Sequence, residues 1–170
     1  MDGSRGLPEE TSDPGHEPPS AADALKLWIV LSRATAALSE RAREDVARHG
    51  LTLAEFAVLE ALFHKGPLLL GEIQRKILVS SGGITYLVDR LESKGLVRRR
   101  PCEDDRRATW AELTADGDAL MRRIFPEHAL CIRDASLALT ASEAKQAAAL
   151  LKKLGRTAAG LDASTGSDQS

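Results

Sequence analysis

Aromatic residues are scarce: Phe, Trp and Tyr together make up 4% of the 170 residues. A core must therefore consist mainly of Leu, Ala, Ile and Val, which favours helices over a β-sandwich. No apolar run approaches the roughly 18 residues needed to span a bilayer, and the acidic, proline-rich N-terminus does not look like a secretion signal. We therefore expect a cytoplasmic protein that has no membrane partner.

Motifs for metal binding and catalysis are also missing. The two cysteines, Cys102 and Cys131, lack the spacing of a disulfide framework or a zinc site. The four histidines are scattered and form no HExxH pair. No Gly-x-Ser-x-Gly motif occurs, and no Gly-Lys-Ser/Thr follows Gly82-Gly83 as it would in a phosphate-binding loop. We expect no enzyme activity, no metal and no cofactor.

The sequence pattern predicts six helices and one hairpin between two polar tails. The boxes Thr52-Leu-Ala-Glu55 and Thr140-Ala-Ser-Glu143 are capping boxes that begin the second and sixth helices. The predicted helices cover about residues 22–48, 52–65, 71–78, 81–94, 114–137 and 140–154, and the strands 96–100 and 107–113. Residues 1–20 are acidic and proline-rich and residues 159–170 are rich in Gly, Ser and Asp, so both should be disordered.

The N-terminal end of the fourth helix is unusual. Its apolar stripe is Ile84, Leu87, Val88 and Leu91. The other positions at its start, after the predicted N-cap Ser80, hold small residues, among them Gly82 and Gly83. A glycine in a helix costs about 1 kcal/mol relative to alanine, but a bare helix end with free N–H groups admits a phosphate or a base edge. The alternative is that these residues only form a turn between two helices.

The segment that follows has a net positive charge in an acidic chain. The net charge is −2, yet residues 98–107 contain five arginines against three acids. A short helix, a turn, a helix and a basic hairpin occur in the order typical of a winged helix-turn-helix. Hairpin arginines can enter a narrow minor groove of DNA. The alternative is an exposed hairpin whose charges pair with each other, for example Asp105 with Arg107.

Three stretches, 87–98, 100–107 and 113–117, resemble the signature of the MarR family of bacterial transcription regulators. The resemblance implies a recognition helix in the major groove and a wing arginine, at Arg107, in the minor groove, with Asp105 orienting it. Many members carry a polar or basic residue at the positions of Ser81 and Tyr86, so base specificity cannot be transferred. The candidate DNA contacts are Ser80, Ser81, Gly82, Gly83, Thr85, Tyr86, Arg90, Arg106 and Arg107.

The fold class that we expect is mostly α with a small β-wing. Residues 51–114 would form the winged helix-turn-helix domain, and residues 21–50 and 115–158 the dimerisation helices. Apolar stripes on the first, fifth and sixth helices exceed what a domain of this size can cover, and a second copy would cover them. A two-fold homodimer would hold two recognition helices about 34 Å apart on double-stranded DNA and read an inverted repeat. The alternative is a single bundle folded back on its own wing domain.

Effector binding is a further implication of the resemblance, because members often bind small aromatic or phenolic molecules between the dimerisation helices and the wing domain. Trp28, Phe56 and His128 are candidates to line such a crevice, although residues of these types more often simply belong to the core. Ala57 stands where urate-binding relatives carry an acid.

Cys102 is a candidate for sensing oxidants or quinones. Neighbouring Arg100 and Arg106 favour a reactive thiolate, whereas Glu103 and Asp104 oppose it. An inert thiol is the alternative. The expected function is a dimeric DNA-binding repressor. A phenolic, quinone-like or oxidant signal would release it from DNA. The competing function is a winged-helix protein-interaction module without DNA binding, which the acidic balance of the chain would suit.

Overall fold

The computed structural model describes residues 17–77, 81–102, 105 and 108–160. The described part of the chain divides into two compact units, with the boundary between Ala37 and Leu38. The elements within the described residues are α1 (Ala21–Ala47), α2 (Leu53–Lys65), β1 (Leu68–Leu69), α3 (Leu70–Ile77), α4 (Ser81–Ser93), β2 (Val97–Pro101), β3 (Thr109–Leu113), α5 (Ala115–Ala135) and α6 (Ala141–Ala158). The predicted fold class, mostly α with a small β-wing, is confirmed.

Local capping fixes where three of the helices begin. The hydroxyls of Thr52 and Thr140 accept hydrogen bonds from the backbone N–H groups of Glu55 and Glu143. Each glutamate carboxylate in turn accepts a hydrogen bond from the backbone N–H of its threonine. Thr114 caps α5 in the same way through the N–H of Gly117. Both predicted capping boxes are therefore confirmed, because such contacts depend only on residues three apart.

The wing is a three-stranded antiparallel sheet in the order β1-β3-β2. β2 pairs with β3 from Val97 opposite Leu113 to Pro101 opposite Thr109. β1 adds Leu68 opposite Ala111. This third strand was not predicted, since two residues show no alternation that a sequence pattern could detect.

One hydrophobic core joins α2, α3, α4 and α5 to the sheet. Its most buried members include Phe56 and Leu59 of α2, Ile73 of α3, Val88 of α4 and Met121 of α5. The core therefore holds α4 against α2 and α3 through its apolar stripe, which leaves the opposite face of α4 outside.

The terminal helices expose apolar residues in the single chain. No residue of α6 is buried, and Leu150, Leu151 and Leu154 are exposed. In the first unit, Trp28 is 66% exposed on α1. The alternative in which α6 folds back to bury its stripe on the wing domain is not what the structure shows. Among the described residues, no helix combines the length and the apolar character that crossing a membrane requires.

Candidate nucleic-acid interface

The start of α4 has the small, open surface that its sequence predicts. Gly82 is exposed, and a methyl group built there would meet no atom within 4 Å. Thr85 and Tyr86 are also exposed, whereas the stripe Ile84, Leu87, Val88 and Leu91 is buried. Ser80 lies outside the described residues. This end of α4 therefore presents backbone, a hydroxyl and a phenol to solvent.

A buried carboxylate ties α4 to α2. The side chain of Glu55 is 0% exposed. One oxygen, Oε1, accepts a hydrogen bond from Nε of Arg90 at 2.9 Å. The other, Oε2, accepts bonds from the backbone N–H of Thr52 at 2.7 Å and from Nζ of Lys94 at 2.9 Å. The sequence identified Glu55 only as the capping-box residue and did not indicate its bonds to α4.

The pKa of Glu55 reflects these contacts. Burial by itself raises the pKa, but hydrogen bonds from the Thr52 backbone, Lys94 and Arg90, together with the charge of Lys94, outweigh it and lower the pKa from 4.5 to about 2. The carboxylate is therefore ionised at neutral pH. It forms a charged anchor beneath α4.

Arg90 is held by the protein on two sides. Besides the bond to Glu55, its Nη1 donates to the hydroxyl of Tyr86 at 3.3 Å, and its guanidinium carbon lies 5.9 Å from the centre of the Tyr86 ring. The hydrogen bonds to Tyr86 and then to Glu55 raise the pKa of Arg90 above its ordinary value. Direct contact of Arg90 with DNA stays a prediction.

The described arginines of the wing have partners within the protein. Arg98 pairs with Glu112 across the two strands, with Nε to Oε1 at 2.7 Å. The guanidinium of Arg100 lies 5.9 Å from the centre of the Trp110 ring. The pair of Arg98 with Glu112 agrees with the alternative in which the hairpin charges pair with each other.

Arg99 joins the wing to α4. It pairs with Asp89 at 2.6 Å and with Glu92, and it donates to the backbone carbonyl of Thr85 at 3.1 Å. Its own backbone N–H donates to Glu92. α4 and β2 are therefore held as one body, which the sequence did not indicate.

The tip of the wing falls largely outside the described residues. Arg106 and Arg107, and with them the predicted pairing of Arg107 with Asp105, lie outside the described residues. The backbone carbonyl of Asp105 accepts a bond from the N–H of Ala108 at 2.9 Å. Cys102 is half-buried and forms no disulfide.

Of the three candidate effector residues, two lie together. The rings of Phe56 and His128 are 4.4 Å apart, and Nδ1 of His128 is 2.8 Å from Oδ2 of the buried Asp45. Phe56 is 2% exposed, which agrees with a core role, while Trp28 belongs to the other unit. A ligand-binding role for these residues stays a prediction. In the described part of the chain, no cluster of three or more His, Cys, Asp or Glu residues could hold a metal.

Comparison with known proteins identifies similar regulators. Residues 51–109 match the model of the MarR family. The chain is 44% identical over 134 residues to the HTH-type transcriptional regulator MhqR of Bacillus subtilis, with 79% of this chain and 92% of that protein covered. It is 39% identical over 132 residues to YkoM, an uncharacterised HTH-type transcriptional regulator of the same species, covering 78% of this chain and 86% of the relative.

Solved structures share the fold. Sco3205 of Streptomyces coelicolor, a MarR family transcriptional regulator crystallised with DNA, superposes with a TM-score of 0.75 at 23% identity, over 84% of this chain and 92% of that one. A mutant of MarR from E. coli in complex with operator DNA superposes with a TM-score of 0.71 at 25% identity, over 81% of this chain and 99% of that one.

Proposed function

Because the chain belongs to the MarR family of transcriptional regulators, we propose that it is a dimeric repressor that binds an inverted-repeat operator in double-stranded DNA. Residues 81–94 would enter the major groove and residues 98–113 the neighbouring minor groove. The observation that carries this proposal is the open start of α4 at Gly82, fixed rigidly to the wing by Arg99.

The start of α4 is accessible to a duplex and carries positive partial charge. The free N–H groups at a helix start attract phosphate, and the missing side chain at Gly82 lets a duplex approach the backbone closely. Arg99 and the core stripe keep α4 and the wing at a fixed separation, so both reach DNA together. The contacts proposed for the wing tip are those of Arg106 and Arg107, with Asp105 orienting Arg107.

A dimer interface would explain why apolar residues are exposed on the terminal helices of the single chain. Leu150, Leu151 and Leu154 lie on α6, and Leu130 is exposed on α5. Side chains of this kind gain about 25 cal/mol for each Å² of apolar surface removed from water. We propose that a second copy buries them and places the two recognition helices about one DNA turn apart.

The effector is proposed to be a phenolic, quinone-like or oxidant signal that releases the operator. It would act either near Phe56 and His128, two of the candidate effector residues, or through Cys102. A DNA-release assay on Cys102→Ser separates the two routes. A variant that responds to a quinone or a peroxide as the wild type does would eliminate the thiol route.

Selection of bound fragments from a random-sequence duplex library tests the DNA-binding function. The expected result is enrichment of an inverted repeat whose half-sites are centred about 10 base pairs apart. Recovery of fragments without a shared sequence would contradict sequence-specific recognition. Recovery of no fragments would favour the protein-interaction module.

A further inference from the structure

We propose that Glu55 is a positioning residue for DNA recognition, and that it acts through Arg90 to present the hydroxyl of Tyr86 as a hydrogen-bond donor to an acceptor on a base edge. This inference rests on the proposed function. It gives Arg90 a different task from the direct DNA contact that the family resemblance implied.

The first step is that Glu55 holds the C-terminal end of α4 through two side-chain hydrogen bonds. Its two oxygens accept hydrogen bonds from Arg90, in the last turn of α4, and from Lys94, which directly follows the helix. The backbone N–H of Lys94 donates to the carbonyl of Arg90, so the two side chains leave the chain about one turn apart on the same side. Two anchor points at successive turns fix the rotation of a helix about its axis. The anchor itself cannot shift, because Glu55 is 0% exposed and also accepts the backbone N–H of Thr52.

The second step concerns Arg90. Its Nε is used by Glu55 and its Nη1 by Tyr86, although the side chain remains 46% exposed. Its charge is compensated at short range by the buried carboxylate. A guanidinium in this arrangement fixes its neighbours, and its removal should change the count of neutralised phosphates little.

The third step concerns Tyr86. Its side chain is 57% exposed and lies one turn after Gly82, beside the exposed Thr85. A phenol oxygen both accepts and donates hydrogen bonds. Since Arg90 donates to this oxygen, the hydroxyl hydrogen is left to point outward. In the major groove it would meet N7 of a purine, O6 of guanine or O4 of thymine, whereas the N4 amino group of cytosine offers only a donor.

The experiment measures the affinity of full-length variants for the selected operator and for random-sequence duplex, across a salt series, by fluorescence anisotropy. Tyr86→Phe removes one exposed oxygen. It should weaken operator binding about 2- to 10-fold and reduce the preference at one base pair of each half-site. Binding to the random duplex should not change, and neither should the salt slope, which is the slope of the logarithm of affinity against the logarithm of salt concentration. Glu55→Gln and Arg90→Gln should lower the operator-to-random ratio by a similar factor.

Coupling separates positioning from general stability. Because Glu55 and Arg90 are proposed to act through Tyr86, the double variant of Glu55→Gln with Tyr86→Phe should lose little more specificity than either change alone. Circular dichroism checks that each variant is folded. If Glu55→Gln does not fold, the double variant of Arg90→Gln with Tyr86→Phe, compared with its two single variants, provides the same test.

Three results would overturn the inference. Independent, multiplicative losses in the double variant would show that Glu55 acts elsewhere. An Arg90→Gln variant whose salt slope falls by about one, with equal losses on both duplexes, would show a direct phosphate contact. An unchanged base preference in Tyr86→Phe would remove Tyr86 from recognition. If the wild type itself binds neither duplex, the proposed function fails first and takes this inference with it.

Discussion

Substitution of Gly82 should affect stability and DNA binding in opposite directions. The residue lies in the first turn of α4, its φ is not positive, and a side chain built there meets no atom within 4 Å. Alanine is favoured over glycine in helices by up to about 1 kcal/mol. Gly82→Ala should therefore raise the free energy of unfolding by up to that amount, and Gly82→Leu should fold as the wild type does.

DNA binding should respond in the other direction, because the added side chain occupies the space in which the duplex is proposed to approach. Losing one close contact in the groove costs about 1–3 kcal/mol, which is about 5- to 150-fold in Kd. The loss should be larger for Gly82→Leu than for Gly82→Ala. Urea unfolding followed by circular dichroism gives the stability, and fluorescence anisotropy with the selected operator gives Kd.

Two outcomes would refute this reasoning. Wild-type affinity in Gly82→Leu would mean that the glycine serves only the turn before α4. A lower free energy of unfolding in Gly82→Ala would mean that the space around the helix start is filled. The two variants also separate the effect of side-chain size from that of backbone flexibility. Both remove the flexibility of glycine, so any difference between them comes from the size of the side chain.

Four further changes test the wing, the anchor, the packing and the dimer. Arg107→Ala should weaken operator binding about tenfold or more and lower the salt slope by about one, and unchanged affinity would contradict the wing contact. The folded pKa of Glu55, about 2, lies below its ordinary 4.5, so its stabilisation is fully present above pH 4.5 and lost as the pH falls towards 2. In urea unfolding, the free energy of unfolding of the wild type should thus exceed that of Glu55→Gln by on the order of 3 kcal/mol at neutral pH, and this difference should shrink below pH 4.5. A difference that does not shrink would be inconsistent with the anchor. A methyl group at Gly117 would overlap the backbone carbonyl of Leu96, between α4 and β2, so Gly117→Ala should lower the melting temperature, at a cost of about 1–3 kcal/mol. An unchanged melting temperature would argue against that packing. Leu150→Glu should give a monomer in sedimentation equilibrium, whereas the control Lys152→Glu, about half a turn away on α6, should stay a dimer; the same mass for both would remove this face from the interface.

Elements whose limits depend on local chemistry were predictable. Thr52 and Thr140 begin helices because their capping partners are three residues away. The exposed start of α4 was predictable for a similar reason, since four stripe residues define its buried face and leave Gly82 outside. β1 was missed because two residues carry no periodic signal.

Contacts between distant segments were not predictable. Glu55 and Arg90 are 35 positions apart, and the sequence offers many acids that could have paired with Arg90. The arginine run 98–100 similarly predicted positive charge but not its use. Only the register of β2 against β3, and the packing of β2 on α4, turn Arg98 towards Glu112 and Arg99 towards Asp89.

The central claim is that α4 and the wing together bind the phosphate backbone and the grooves of DNA. Its most direct test is the affinity of the purified protein for duplex DNA as the salt concentration rises. We expect the logarithm of the association constant to fall linearly with the logarithm of the salt concentration, with a slope of about −0.9 for each phosphate neutralised. Absence of binding even at the lowest salt concentration, from a protein shown to be folded and dimeric, would contradict it.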